Sequence, residues 1–416
     1  MEISDSIKNF TEITSCRTCK ATELNEILNL GVHPLANKLL DSRNEDELFI
    51  PLILLRCQKC TTIQLSVNVN PKLMFSNYPW VTGTSETARI HCRKLATEIF
   101  ERVLNKNPRI IEIGSNDGTL LNELVNAGAR EAIGIDPAVN LRPSGNPNLT
   151  KVIQGFFSKD LADSIKSSVG QVDVIVARNV LSHVPDLNDV MEGISKLIQE
   201  DGTIVIEFHE ASRILTELHY ESIYHEHTFY HSLKSMEFAL SLIGFEIFEV
   251  LPSPISGGSF VIFASKVNRP KLPSLSAALL KEEASQVYSQ RAWEKFALKA
   301  IENIETLRNI FDDEREFRWI AFGASARSST LLNTIGSTTK NLNWIVDNNP
   351  LKQGKFSPGI HLEIVSPEKI KMEKSEKIFI CAFNFEREII ELLNGDLDWH
   401  GEVIFPLPNK VRRFQI

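Results

Sequence analysis

The amino-acid sequence predicts an α/β protein: a doubly wound, Rossmann-like central sheet, an N-terminal zinc-ribbon-like module and a C-terminal Rossmann-like domain. Three observations carry this. Strand-like and helix-like segments alternate from Arg109 to Ala264, and such alternation places helices on both faces of a mostly parallel sheet. Two Cys-x-x-Cys pairs precede that region. A second alternation begins at Arg318, beyond a proline- and serine-containing linker at 268–276.

The N-terminal part holds Cys16-Arg-Thr-Cys19 and Cys57-Gln-Lys-Cys60, with the turn-rich run Leu30–Asn37 and the strand-like Ile50–Arg56 between them. Two such knuckles close a tetrahedral, all-thiolate zinc site, so Cys16, Cys19, Cys57 and Cys60 are the expected metal ligands. Four thiolates leave no open position, which makes the metal structural, and it stabilises a segment with little apolar material of its own. Cys92 and Cys381 are isolated and read as core residues.

A helix is expected over 85–104, then strands at Arg109–Ile113, Ala132–Asp136, Val172–Ala177, Gly202–Phe208, Phe245–Leu251 and Gly258–Ala264. Helices are expected at Leu120–Ala127, Leu187–Gln199 and Ser235–Ile243. After the linker, one amphipathic helix of roughly 35 residues runs to Phe311 by its apolar spacing. Strands near Arg318, Leu342–Asp347 and Lys377–Phe383 then form the last unit. The domains divide as 1–80, 81–267 and 268–416.

Composition limits the function classes. The chain has 416 residues, 45 basic and 53 acidic, a net charge of −8. That charge argues against general affinity for nucleic acid or an anionic membrane. No stretch approaches the roughly 20 apolar residues of a membrane span. The polar start, from Met1 to Cys16, lacks the basic and apolar regions of a signal peptide, so a cytoplasmic location is expected.

The run Glu112-Ile-Gly-Ser-Asn-Asp-Gly118 lies between a strand and a helix, where glycines let backbone N–H groups approach a ligand. Asp136 ends the next strand and is placed to accept from ribose hydroxyls. A nicotinamide dinucleotide site usually keeps G-x-G-x-x-G; G-S-N-D-G after an acidic residue suits S-adenosylmethionine (SAM), which has no pyrophosphate. The cofactor-binding set is Glu112, Gly114, Asn116, Asp117, Gly118 and Asp136, with a cofactor-free fold as the bland alternative. Asn179 and His183 follow a strand end of the same sheet, where ligand crevices form, and can reach the site.

Tyr224-His225-Glu226-His227 concentrates acid/base groups in four positions, histidine titrating closest to neutral pH. Glu221 and His219 nearby read as surface groups. Ser256–Ser259 reads as a turn whose glycines permit close backbone approach. In the last domain, Ser325, Arg327 and Ser328 open a helix after Gly323, with Asp347 and Lys352 beyond, and could cradle a phosphate. A plain strand–turn–helix explains the same residues. Tyr230-His-Ser-Leu-Lys234 fits the Tyr-x-x-x-Lys spacing of nucleotide-sugar epimerases and reductases, although no dinucleotide-type glycine run precedes it.

Taken together, the double Cys-x-x-Cys, LGVHPLAN, EIGSNDGTLL, the His-Val-Pro turn, IYHEH, the GGS strand and GASARSSTLLN with DNNPLKQGKFSPG resemble the three-domain, SAM-dependent C-methyltransferases of nucleotide-linked deoxysugars. The resemblance spans nearly the whole chain and implies a class I methyltransferase sheet. It also implies the reaction: a base takes the proton α to the carbonyl of a 4-keto hexose, and C3 of the enolate is methylated. Residue by residue it puts the base on His227, with Glu226 orienting it or tuning its pKa and Tyr224 positioning. It puts donors to the enolate oxygen on His183 and Tyr78, the latter within Ser76-Asn-Tyr-Pro-Trp80. The partner it implies is a TDP- or GDP-linked keto sugar, acted on by a monomer or homodimer. His225 takes no role from it. Glu207-Phe-His-Glu210 departs from the expected pattern, which bears on the sugar rather than the reaction. Rival readings are an O- or N-methyltransferase, a nicotinamide-dependent epimerase or reductase, and a catalytically dead binding module.

Overall fold

The structure is a computed structural model that describes residues 9–141, 149–373 and 375–416; the polar start as far as Lys8 lies outside them. The central sheet has seven strands in the order Glu246–Ser253, Ser259–Ser265, Ile198–His209, Val172–Arg178, Arg109–Ile113, Glu131–Asp136 and Thr150–Gln154. Ser259–Ser265 runs antiparallel to both of its neighbours. Side chains alternate across a strand, so Ile110 packs beneath the helices Glu86–Arg102 and Thr119–Asn126, while Ile111 and Ile113 pack on the opposite face. Strand order reverses between Val172–Arg178 and Arg109–Ile113. A crevice opens outside the carboxyl ends of strands at such a switch point.

The strand Thr150–Gln154 and the helix Lys159–Val169 have no counterpart among the expected elements. The strand Thr150–Gln154 is a partly exposed edge without a clear apolar run. The expected single long helix is two, Pro273–Ser285 and Gln290–Asp313. Gln286 turns left-handed at φ 60°, which lets Val287 enter the core and accept from the Trp293 indole at 2.7 Å. The gain from burying those apolar groups outweighs continuing the helix.

The C-terminal sheet has six strands, ordered Glu363–Val365, Leu342–Val346, Trp319–Phe322, Lys377–Ile380, Glu402–Phe405 and Arg412–Gln415, the last antiparallel. The N-terminal sheet has four: Leu24–His33, Ile50–Cys57, Ile63–Leu65 and, from the middle of the chain, Phe229–Tyr230. Phe229 pairs with Gln64 and Tyr230 with Ile63. One apolar core joins Leu52, Leu54 and Leu65 of this module to Ile223, Tyr230 and the C-terminal sheet. The acid/base loop at 224–227 is therefore clasped between modules distant in sequence.

Candidate active site

The cysteine module is built on two equivalent knuckles. Cys16 N donates to Ala21 O at 2.8 Å and Lys20 N to Cys16 O at 2.9 Å; Cys57 N and Thr61 N repeat the pattern at 2.9 and 3.2 Å. Lys20 and Thr61 both close their turns at φ 61°. The four sulfurs lie within 4.8 Å of one another, with Cys16–Cys60 at 3.6 Å and Cys19–Cys57 at 3.5 Å. A zinc with about 2.3 Å bonds to sulfur needs edges of about 3.8 Å. The residues fit the ion.

At the switch point, Gly114 (φ 72°) and Asn116 (φ 54°) turn the chain so that Gly114 N bonds Ile135 O at 2.8 Å. A Cβ on Gly114 would lie 3.0 Å from Val180. Asp136 accepts from Asn116 N at 2.8 Å and Ala138 N at 2.9 Å, and its second lone pairs stay available. Glu112 is fully buried and ion-paired with Arg178 at 2.8 Å, yet its Oε2 has no partner; burial pushes its carboxyl up to about 7. An orphaned carboxylate oxygen beside a glycine turn fits a cationic amino group, and Asp136 fits a ribose. Asn179 sits at φ 52° with its N–H on Glu207 O at 2.7 Å.

Asn116 and Asp117 use their side chains in a way the sequence does not disclose. Asn116 Oδ1 accepts from Thr82 N at 2.8 Å and Asp117 Oδ2 from Gly83 N at 2.9 Å. Asn140 clasps Tyr78 through N–H and C=O at 2.9 and 2.8 Å. Residues 78–83 thus form a strap across both cofactor loops. Its one signal is Gly83, where a Cβ would meet Asp117 Oδ2 at 2.6 Å.

The strap delivers Tyr78 to the acid/base cluster. His227 Nδ1 faces Ser222 O at 3.0 Å, so it carries the proton, and Nε2 accepts from the Tyr224 hydroxyl at 2.8 Å. His183 stands edge-on to His227 with ring centres 5.1 Å apart, and Phe75 backs it at 5.4 Å. Burial holds His227 well below its ordinary range and His183 at about 4, so both are neutral near pH 7. Glu226 accepts from Asn37 Nδ2 at 2.8 Å on both oxygens and from the Tyr78 hydroxyl; burial pushes its carboxyl up to about 7. Orientation of His227 comes from Ser222 and Tyr224, whereas Glu226 is held by Asn37 and Tyr78. Asn37, Phe75 and Ser222 are cluster residues that sequence reasoning does not find. For Asn37 the one signal is its place at the end of the turn-rich run Leu30–Asn37.

His219 and Glu221 are not surface groups. Both are buried, His219 Nδ1 and Nε2 facing Glu221 and Glu217 at 3.0 Å each. Burial alone would lower the imidazole, but the two carboxylates raise it to about 9 and keep it charged. The C-terminal domain covers this pair: Phe383 stacks on His219 at 5.6 Å, and Arg327 lies 3.9 Å from Glu221. An interface between distant segments leaves no local pattern.

Of the other residues expected at the substrate site, Ser325 is the exposed cap of Ala326–Ile335, and Ser328 closes its capping box from a buried position. Asp347 accepts from Ala324 N at 2.8 Å, and Lys352 bridges Asp347 and Ala324 O at 3.2 and 2.7 Å. Glu207 is buried against His91 at 2.9 Å and Ser253 at 2.5 Å, and Glu210 against Lys281 at 2.9 Å. Ile255–Gly257 forms the expected turn, with Gly257 and Gly258 at φ 82° and 131°; a Cβ on Gly258 would strike Arg213. Tyr230 is buried, while Lys234 pairs with Glu283 at the surface; they do not form a Tyr-Lys dyad. Cys92 and Cys381 are core residues as expected. Among the described residues no helix is long and apolar enough to cross a membrane.

Comparison with known proteins agrees with this layout. A family model described as "Methyltransferase domain" matches residues 86–250, "C-methyltransferase C-terminal domain" matches 254–408, and "Putative zinc binding domain" matches 16–75. The fold, the cofactor turn and these domains make the chain a SAM-dependent methyltransferase with a zinc-binding module of four cysteines. Its C-terminal domain makes it one of the C-methyltransferases. The chain is 28% identical over 406 residues to C-methyltransferase NovU of Streptomyces niveus, covering 95% of this chain and 96% of that one. Solved structures with weak likeness include a SAM-dependent methyltransferase of Mesorhizobium loti (12% identity, 42% of this chain, 97% of that, TM-score 0.33). Another is the magnesium protoporphyrin IX methyltransferase of Synechocystis PCC 6803 (16%, 43%, 83%, 0.31); neither likeness adds to the sheet order described above.

Proposed function

We propose that the enzyme methylates carbon, C3, of a nucleotide-linked 4-keto deoxysugar, as a cytoplasmic step in making a branched-chain sugar. The observation that carries this reading is the orientation of His227, whose Nδ1–H is fixed on Ser222 O at 3.0 Å so that its Nε2 lone pair is presented to the Tyr224 hydroxyl at 2.8 Å. Oxygen or nitrogen methylation needs no base strong enough to make a carbanion; a carbon α to a ketone does. SAM, when bound, supplies the methyl electrophile, with Glu112, Asp136 and the Gly114–Gly118 turn holding it.

The residues divide the work as follows. Nε2 of His227 takes the C3 proton once substrate displaces the Tyr224 hydroxyl. His183 and Tyr78 donate to the developing enolate oxygen, where preorganised donors lower the barrier most. Tyr224 positions the sugar. Ser325 and Arg327 at the start of Ala326–Ile335 meet the nucleotide, Ser328 supports that turn, and Asp347 with Lys352 sets its shape. Residues 1–80, 81–267 and 268–416 would form the zinc, cofactor and nucleotide-sugar domains. The test is incubation with SAM and a panel of TDP- and GDP-linked 4-keto sugars, read by mass spectrometry. One sugar gains the mass of a single methylene group, on carbon; methylation only on a hydroxyl or amine contradicts the reading.

A further inference from the structure

His225, between the two cluster residues Tyr224 and Glu226, points away from the crevice. It is 2% exposed, and its Nε2 lies 3.2 Å from the carbonyl of Pro51. A carbonyl can only accept, so Nε2 carries the proton; Nδ1 has no partner. Pro51 follows Ile50 at the start of the strand Ile50–Cys57, whose other end is a cysteine of the zinc cluster. Around this bond the same loop is stitched to the module three more times. Leu65 N donates to Thr228 O at 3.0 Å, Phe229–Tyr230 pairs with Ile63–Leu65, and Asn37 holds Glu226. Of these, the His225 bond alone is a side-chain tether made by a residue adjacent to Tyr224.

We propose that His225 is a positioning residue: by donating Nε2–H to Pro51 it pins the loop to the cysteine module, so that the His227 Nε2 lone pair stays presented to the Tyr224 hydroxyl. The inference rests on reading His227 as the base. The geometry is a lever: Tyr224 and His227 face the partly open side while His225 and Glu226 are buried. Rotation of the loop about its length would swing His227 off Ser222 O and away from Tyr224. A misplacement of about 1 Å at a reacting group costs up to about 10²-fold in rate. The neutral ring suits the task, since a charged imidazole in this apolar seam would be desolvated without a counter-charge.

The test uses the full-length, zinc-loaded enzyme with 15N-labelled histidine. In the wild type, His225 should be protonated at Nε2 and bare at Nδ1, and His227 the reverse. His225→Leu, similar in bulk but without a donor, should keep zinc content and SAM affinity. In that variant His227 should lose its single tautomer and titrate closer to its ordinary range, and kcat should fall about 10- to 100-fold with KM little changed. His225→Gln, whose amide can reach the same carbonyl, should recover most of both readouts. An unchanged His227 tautomer and titration in His225→Leu, or a Gln variant no better than Leu, overturns the proposal. Should His225→Leu fail to fold, the wild-type spectrum decides alone, because a His225 protonated at Nδ1 cannot make the bond. Full turnover by His227→Asn would sink the base assignment and leave the tether standing.

Discussion

In the central sheet Gly114 N bonds Ile135 O at 2.8 Å, and Asp136 accepts from Asn116 N and Ala138 N at 2.8 and 2.9 Å. In the C-terminal sheet Gly323 N bonds Val346 O at 2.7 Å, and Asp347 accepts from Ala324 N and Asn349 N at 2.8 and 2.9 Å. The turns are built alike, glycine at positive φ and carboxylate at the end of the second strand. They differ in what else meets the carboxylate. Lys352 reaches Asp347 and closes the C-terminal turn, whereas among the described residues no cation pairs with Asp136. Asp136 keeps lone pairs for a ligand, whereas Asp347 is satisfied by Lys352 from within the chain. A shared backbone motif therefore does not imply a shared ligand, and the partner of the carboxylate decides.

The largest way to disturb both turns is to remove the metal, because the N-terminal module touches each domain. It pairs with Phe229–Tyr230 of the first and bridges Leu40 to Phe356 of the second. Cys57→Ser should abolish zinc binding and unfold the module, since structural zinc contributes on the order of 10 kcal/mol. Metal analysis and thermal unfolding check this; a fully stable, metal-free variant contradicts it.

Asp136→Ala separates the two turns. It should weaken SAM binding by about 1–3 kcal/mol, the cost of unpaired buried polar groups. Asp347→Ala should leave SAM affinity unchanged by calorimetry while lowering stability, because it strands Lys352 and Ala324 N. Equal effects of both substitutions on SAM would erase the comparison.

A smaller effect concerns pH. Burial raises Glu226 to about 7, so it ionises near neutrality, while His227 is already unprotonated there. If the carboxylate must accept from Asn37 and Tyr78, kcat/KM should rise with pH and level off above about 7. Glu226→Gln should remove that inflection. The stability sign is opposite: a raised carboxyl costs folding free energy as pH climbs from its unfolded value through 7. Glu112 and Glu282, also near 7, add to this loss, so the enzyme should unfold more readily at pH 8 than at pH 6 (about two pH units bracketing the folded value).

Much of this was legible in sequence because the signals were local. Cysteine spacing gave the metal cluster, and apolar runs gave every central strand but Thr150–Gln154, yet only the strands at Trp319, Leu342 and Lys377 of the C-terminal sheet. The glycine turn and Asp136 sat where strand order reverses. What stayed hidden depends on pairing between distant segments. His219 and Glu221 look like surface groups until Phe383 and Arg327 cover them. The strap at 78–83 owes its place to Asn116, Asp117 and Asn140. The break at Gln286 comes from burying Val287, a tertiary gain that helical periodicity does not report. The acid/base cluster draws Tyr78, His183 and His227 from three places in the chain, so only a resemblance named them as one set, and Asn37, which holds Glu226, escaped even that.

The most direct test of the account follows the proton. The C3-deuterated 4-keto sugar identified by the panel is incubated with enzyme and the demethylated cofactor, S-adenosylhomocysteine, so that no methyl can transfer. Wild-type enzyme should wash the deuterium into water, and His227→Asn should do so about 10²- to 10⁴-fold more slowly with cofactor affinity intact. Exchange by His227→Asn at the wild-type rate would contradict the claim that this imidazole makes the carbanion.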